Sequence, residues 1–443
     1  DLTVPGGVDA DSSTESPTSF ITKGIRGTTR THLHFEHNNT MSPIDCNTML
    51  SFPSKRIVEQ SSNDSSTDSD SIASSTPSFS SSSSWANTEL VQPHTGFKKV
   101  LVTGGAGFIG SSVADYLLAR GDNVVIIDEM NDYYDVNIKK NNLNRLRNQY
   151  DEDQLVIYEG DICDSKLMNE IFETERPEWV CHMAARAGVR PSIDDPFVYI
   201  HSNIEGTTRL MELSAKYGVK NFVFASSSSV YGGSKSTYFS EDEAVDNPVS
   251  PYAASKKACE LLAYTYHHLY KLNVTGLRFF TVFGPRGRVD MAPFKFIDRV
   301  SRGLEIQQFG DGSSSRDYTY ISDIVDGVVR AIDRPYAYQI FNLGKGDGTN
   351  LKDFICLVEK YTGKTAKIKV LPDQPGDVPY TCADVSKAAY LLDYEAQVPF
   401  EEGIKNTVAW YKETYGDNEM TEVAESAVRM EMMQPGVALA AQL

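Results

Sequence analysis

Tyr252 and Lys256 stand four residues apart in Tyr252-Ala-Ala-Ser-Lys256. On a helix that spacing puts both side chains on one face. A tyrosine hydroxyl alone, with a usual pKa of about 10, is a poor base at neutral pH. A neighbouring ammonium, or another positive charge close by, favours the phenolate. Such a pair can take the proton of an alcohol while a hydride leaves the same carbon. Upstream lies Ala225-Ser-Ser-Ser-Ser-Val-Tyr-Gly232, a serine run directly after a strand-like segment. Ligands of open α/β sheets bind at such strand ends. Ser227 or Ser228 could therefore hydrogen-bond the reacting hydroxyl.

A hydride needs an acceptor, and a second motif offers a place for one. Thr103-Gly-Gly-Ala-Gly-Phe-Ile-Gly110 spaces Gly104, Gly107 and Gly110 as G-x-x-G-x-x-G, around Phe108 and Ile109. Glycines there permit a tight turn, close approach to a pyrophosphate and close helix–strand packing. The following helix supplies unpaired N–H groups and a favourable dipole. Asp128 ends the next apolar segment, where a carboxylate accepts ribose hydroxyls and repels a 2′-phosphate. This favours NAD over NADP. Asp161, in Gly160-Asp161-Ile162, is the candidate contact to adenine, with Ile162 beside it. Read as ordinary structure, these motifs would be a turn, a helix cap, a polar loop and an exposed helix face. Their occurrence together argues for chemistry.

The elements that must position them alternate. Lys99–Thr103, Asn123–Asp128, Gln154–Tyr158, Trp179–Met183, Asn221–Ala225 and Val274–Phe280 read as strands. Helical segments, beginning with Ser111–Arg120, separate most of them. That alternation predicts βαβ units and a doubly wound parallel sheet, an α/β fold of Rossmann type with a smaller C-terminal α/β lobe. Residues 98–285 form the dinucleotide-binding, catalytic part and 286–415 the smaller lobe. Residues 1–97 read as a disordered Ser-rich tail, lacking the apolar area to offset ordering. Residues 416–443 read as a second, loosely ordered tail.

Composition excludes several functions. Against 42 Lys and Arg stand 60 Asp and Glu, a net charge of −18, so a nucleic-acid partner is not expected. No apolar run is long enough to span a bilayer. The chain starts at Asp1, so an anchor or targeting segment ahead of it stays open. The 6 cysteines form no metal-type spacing and read as small buried hydrophobes. His32, His34 and His37 read as a chance cluster in the tail, so no metal is expected.

The glycine loop, the serine run and the Tyr/Lys pair together resemble the extended short-chain dehydrogenase/reductases, over about Lys98 to Tyr415. Three further stretches resemble the UDP-glucuronate 4-epimerases among them: Met183-Ala-Ala-Arg-Ala-Gly-Val-Arg190, Arg278-Phe-Phe-Thr-Val-Phe-Gly-Pro-Arg-Gly-Arg-Val-Asp-Met291 and Arg316-Asp-Tyr-Thr-Tyr-Ile-Ser-Asp323. The resemblance implies tightly held NAD, a UDP-sugar substrate and a homodimer joined through helices near Val198–Tyr217 and Tyr252–Tyr270. It implies a cofactor contact at Ala184, sugar contacts at Thr281 and Arg288, and UDP contacts at Phe309, Arg316 and Asp377. Asn203 is expected at the cofactor or sugar end. Arg288 would hold the C5 carboxylate. The compartment implied is the cytoplasm, or the Golgi lumen where an N-terminal anchor was removed.

The implied reaction turns UDP-glucuronate into UDP-galacturonate through a 4-keto sugar, with Tyr252 acting first as base and then as acid. Arg186 stands where Gln is expected, Gly287 replaces a bulkier residue, and Tyr380 replaces a basic one in some relatives. The alternatives are UDP-glucose 4-epimerisation, UDP-glucuronate decarboxylation, 4,6-dehydration and an inactive NAD-binding scaffold. Decarboxylases and dehydratases of this fold carry an acid just after the catalytic Ser or Thr, whereas this chain has Ser228 and Ser229.

Overall fold

The computed structural model describes residues 83–372 and 380–416. Chain order through the first half is β1 (Lys99–Thr103), α1 (Phe108–Arg120), β2 (Asn123–Asp128), α2 (Val136–Gln149), β3 (Leu155–Glu159), α3 (Ser165–Glu175), β4 (Trp179–His182), α4 (Pro191–Asp194) and α5 (Pro196–Tyr199). A π-helical turn, Ile200–Glu205, leads into α6 (Gly206–Tyr217). β5 (Asn221–Ala225), a 3-10 turn at Ser228–Tyr231, α7 (Pro251–Tyr270) and β6 (Val274–Phe279) follow. The remainder is β7 (Thr281–Phe283), α8 (Ala292–Ser301), β8 (Glu305–Phe309), β9 (Ser315–Tyr320), α9 (Ile321–Asp333) and β10 (Tyr338–Leu343). It ends with β11 (Gly348–Asn350), α10 (Leu351–Thr362), β12 (Lys367–Leu371), α11 (Ser386–Leu392) and α12 (Phe400–Tyr415).

Seven parallel strands run in the order β10-β6-β5-β4-β1-β2-β3. Side chains of a strand alternate between faces, so β1 feeds two cores. Val100 and Val102 join the cluster under α1 and α9, while Leu101 joins the one under α3, α6 and α7. Apolar runs rather than alternating patterns are what a sheet covered on both faces requires. Strand order reverses between β1 and β4, and the crevice at that switch point is where such sheets bind ligands.

Two expected boundaries move. β10 pairs with β6, so Tyr338–Leu343 belongs to the main sheet rather than to a lobe starting at 286. The lobe is instead built on β7, β8, β9 and β12 with α8, α10 and α12, around Phe283, Phe296, Phe354 and Phe400. At the other end, residues 83–97 are a mostly exposed strap pinned at Trp85, Val91 and His94 rather than part of a tail ending at 97. Trp85 is 6% exposed and joins the core on the α1 side. His94 N–H donates to Asp333 O, and the His94 ring lies 5.1 Å from that of Trp179. A single tryptophan in a serine-rich stretch anchors this strap, which composition averaged over the stretch hides. α1 also starts at Phe108, three residues before Ser111, because Gly107 in extended backbone caps it. The histidine trio and the tails 1–82 and 417–443 lie outside the described residues.

Candidate active site

One cavity of about 1410 Å³ runs across the switch point, from the glycine loop to the lobe. At one end Gly104, Gly107, Phe108, Ile109 and Gly110 line it. Gly104 has φ +66°, the left-handed region that favours glycine. A Cβ on Gly110 would meet Gly104 O at 2.2 Å, so only glycine lets α1 start this close to the turn. No side chain caps α1, whose first N–H groups are left for an anion.

Asp128 braces this loop. Its carboxylate accepts from Ala106 N–H at 3.1 Å, Met130 N–H at 3.0 Å and Lys139 Nζ at 3.2 Å. A carboxylate has about four acceptor sites, so one is left for a ribose hydroxyl. Asp161 and Ile162 also line the cavity, as does Ala184, whose N–H donates to Thr103 Oγ1. Burial would raise the Asp161 carboxyl. The Cys163 N–H at 2.8 Å and His201 Nε2 at 2.8 Å outweigh it and hold the group below its usual value.

At mid-cavity α7 carries the Tyr/Lys pair. Ser250 caps the helix by accepting from Ala253 N–H at 3.1 Å, and Pro251 opens its first turn. Tyr252 lines the cavity, its ring edge-on to Tyr199 at 6.0 Å. Lys256 is 4% exposed and donates to Ala225 O at 2.7 Å, which ties α7 to the end of β5. The serine run divides its tasks. Ser226 donates to Glu260 Oε1 at 2.7 Å, and Ser227 Oγ accepts from Ser229 N–H at 3.1 Å. Ser228 lines the cavity with no side-chain partner among the described residues. Glu260 is held in turn by Arg278 at 2.8 Å, in a buried ion pair beneath the site.

The far end is built from separated segments. Thr281, Arg288, Phe309 and Arg316 all line it. Arg288 Nε and Nη2 grip the two oxygens of Asp290 at 3.0 and 2.6 Å. The Arg190 guanidinium lies 4.8 Å from the centre of the Phe309 ring. Arg316 Nη1 donates to Ser315 O.

One expected contact is absent. Asn203 is fully buried and off the cavity. Its Oδ1 accepts from Arg186 N–H at 2.8 Å, and its Nδ2 donates to Arg186 O at 3.0 Å and Ser255 Oγ at 2.9 Å. Both amide hydrogens and one lone pair of the oxygen are spent on bracing the Arg186 loop against α7, and the side chain does not reach the cavity. Asp377 lies outside the described residues. Among the cavity residues that the motifs did not single out are Lys139, Tyr133, Asp290 and Arg190. Asp290 was the most findable, two residues after Arg288; Lys139 carries no local signal.

The parallel sheet, the glycine turn and the Tyr/Lys helix define an extended short-chain dehydrogenase/reductase. The family described as GDP-mannose 4,6 dehydratase matches residues 101–407, and the chain belongs to the nucleotide-sugar epimerases and dehydratases of this class. It is 47% identical over 314 residues to a UDP-glucuronate 4-epimerase of Thermodesulfobacterium geofontis, covering 71% of this chain and 96% of the relative. Two solved structures are similar at a TM-score of 0.66: the Bacillus cereus UDP-glucuronic acid 4-epimerase with UDP-glucuronic acid and NAD, and the Thermotoga maritima UDP-glucose 4-epimerase with UDP-glucose. They are 34% and 35% identical and cover 72% and 71% of this chain, and 100% and 99% of their own. No helix among the described residues is long and apolar enough to cross a membrane.

Proposed function

We propose that this protein interconverts UDP-glucuronate and UDP-galacturonate at C4, with NAD as a recycled cofactor. The observation that carries the reading is one continuous cavity. The glycine cradle lines one end, Tyr252, Lys256 and Ser228 the middle, and Arg288 the other. The cradle suits a dinucleotide pyrophosphate because a Cβ at Gly110 would close it. Asp128 and Asp161 would hold the ribose and adenine, with Ile162, Ala184, Phe108 and Ile109 as apolar walls. Bound NAD supplies the acceptor and donor of hydride at C4.

Tyr252 takes the C4 hydroxyl proton in the first half of turnover and returns it in the second. Lys256, held by Ala225 O, stabilises the phenolate, and Ser228 hydrogen-bonds the reacting oxygen, with Ser227 shaping the turn that presents it. Between the halves the 4-keto sugar turns over. That intermediate is a β-keto acid. If its C5–C6 bond aligns with the carbonyl π system, the bond breaks and CO₂ leaves. The electron pair then enters the C4 carbonyl as an enolate, and C5 takes a proton. Arg288 and Thr281 oppose this by fixing the carboxylate. Arg316 and Phe309 face the UDP.

The enzyme works as a homodimer. In support, α7 leaves Leu261, Tyr264, Leu269 and Tyr270 exposed, apolar surface that water does not favour. Its place is the cytoplasm, supported by Cys163, Cys181, Cys259, Cys356 and Cys382 all being free thiols. The test is to incubate purified protein with UDP-glucuronate and resolve the nucleotide sugars by anion exchange. UDP-galacturonate without net NADH supports the reading. A UDP-pentose with CO₂, or no turnover by protein that holds NAD, overturns it.

A further inference from the structure

Arg288 carries five N–H donors in a rigid planar fork. One edge is already used inside the chain, where Nε donates to Asp290 Oδ1 and Nη2 to Asp290 Oδ2. The guanidinium also lies 5.5 Å from the centre of the Tyr133 ring. That ring is pinned, since its hydroxyl donates to Ala187 O at 2.7 Å. Arg186 approaches the same ring, with its guanidinium 5.2 Å from the centre. Arg288, Asp290, Tyr133 and Thr281 all line the cavity. Nη1 has no partner among the described residues. A guanidinium has two edges that can grip a carboxylate, so holding it by Nε and Nη2 leaves the Nη1/Nη2 edge for a second one.

We propose that Asp290 is a positioning residue for substrate specificity: it holds Arg288 by its side edge and thereby presents the terminal edge to the sugar carboxylate. This rests on the reading of Arg288 as the carboxylate partner. Asp290 sits two residues from Arg288, so the chain keeps the two together whether or not substrate is present. A residue that merely filled the carboxylate site would have to withdraw when substrate entered. The two roles have opposite signs. Removing a positioning residue weakens binding of an acidic sugar, and removing a competitor strengthens it.

The test compares D290N, D290E and R288A with wild type as holoenzymes, each checked for bound NAD and thermal midpoint. Dissociation constants for UDP-glucuronate and UDP-glucose are measured by titration calorimetry, and the products of UDP-glucuronate turnover are resolved. D290N is expected to weaken UDP-glucuronate about tenfold, the worth of one charge-assisted contact, with UDP-glucose unchanged within about twofold. CO₂ release should rise, and D290E should recover part of the loss. Tighter UDP-glucuronate binding, equal weakening of both sugars, or no change overturns the proposal. If R288A leaves UDP-glucuronate binding intact, the carboxylate reading itself fails; if R288A weakens it and D290N does not, only the role of Asp290 fails. D290S removes the same carboxylate and repeats the test should D290N lose its cofactor.

Discussion

The two ends of the cavity are built by different means. At the dinucleotide end the fit comes from backbone: glycines whose missing Cβ atoms make room, an uncapped helix start, and Asp128 spending two of its acceptor sites on loop N–H groups. At the sugar end it comes from side chains on β7, β8, β9 and the loop after β7, with Arg288 held by Asp290 and stacked on Tyr133. A backbone cradle accepts any ligand with the same pyrophosphate. A side-chain cluster can discriminate between sugars, and can be retuned one residue at a time. Tyr252 and Lys256 stand between the two, on a helix anchored to the sheet by Ala225 and by the Glu260–Arg278 pair.

Substitutions at the junction and at each end should therefore fail differently. The largest effect is expected at the junction. Tyr252→Phe should lower kcat by about 10²–10⁴-fold, the usual worth of a positioned acid or base. NAD content and thermal midpoint should stay unchanged. A kcat within a few-fold of wild type would remove Tyr252 from the proton path.

At the backbone end, Gly110→Ala should act through retention of cofactor. The new Cβ lies 2.2 Å from Gly104 O, so the turn must open. The purified variant is expected to carry less than about a tenth of the NAD of wild type, because the pyrophosphate loses its close backbone approach. Absorbance of the released nicotinamide reports it. Full NAD content would mean that the cradle is not what holds the cofactor.

At the sugar end, Arg288→Ala should raise KM for UDP-glucuronate by about 10–100-fold, as expected for a lost charge-assisted contact. NAD content should be unaltered, so the two ends would be separated by readout as well as by place. Loss of NAD from this variant would instead merge them into one site.

How much of this the sequence discloses follows the same division. β1, β2 and β5 have the expected bounds because buried parallel strands are short apolar runs. The glycine loop and the Tyr/Lys pair are local patterns in which spacing alone states the geometry. The sugar end is assembled by tertiary packing from segments far apart, so its residues came from resemblance, and Asp290 and Tyr133 were missed. Asn203 was misplaced because an asparagine before a helix looks the same whether it faces a ligand or braces a loop. The strap at Trp85 and the return of β10 to the main sheet depend on contacts more than sixty residues distant, which periodicity does not carry.

The smallest effect concerns His182, beneath the junction. It is buried between Thr103 Oγ1 at 2.6 Å and Thr207 Oγ1 at 2.8 Å. Burial, aided by the Lys256 charge, pushes its pKa down to about 3. The unfolded chain takes up a proton there near pH 6.5 and the folded chain does not. This residue therefore costs stability as pH falls from about 6.5 towards 3, with a slope approaching 1.4 kcal/mol per pH unit. His182→Asn should show a shallower loss than wild type across that window in urea unfolding, whatever its stability at pH 7. Parallel curves would mean that His182 is protonated in the fold.

The central claim is that a single carbon, C4, is oxidised and re-reduced by bound NAD while Tyr252 moves its hydroxyl proton, and that Arg288 keeps C5 and its carboxylate out of the chemistry. Turnover of UDP-glucuronate in D₂O, followed by mass spectrometry of the product, tests both halves together. The prediction is UDP-galacturonate of unchanged mass, with no solvent deuterium on carbon. Deuterium at C5, or a product lighter by the mass of CO₂, would contradict it.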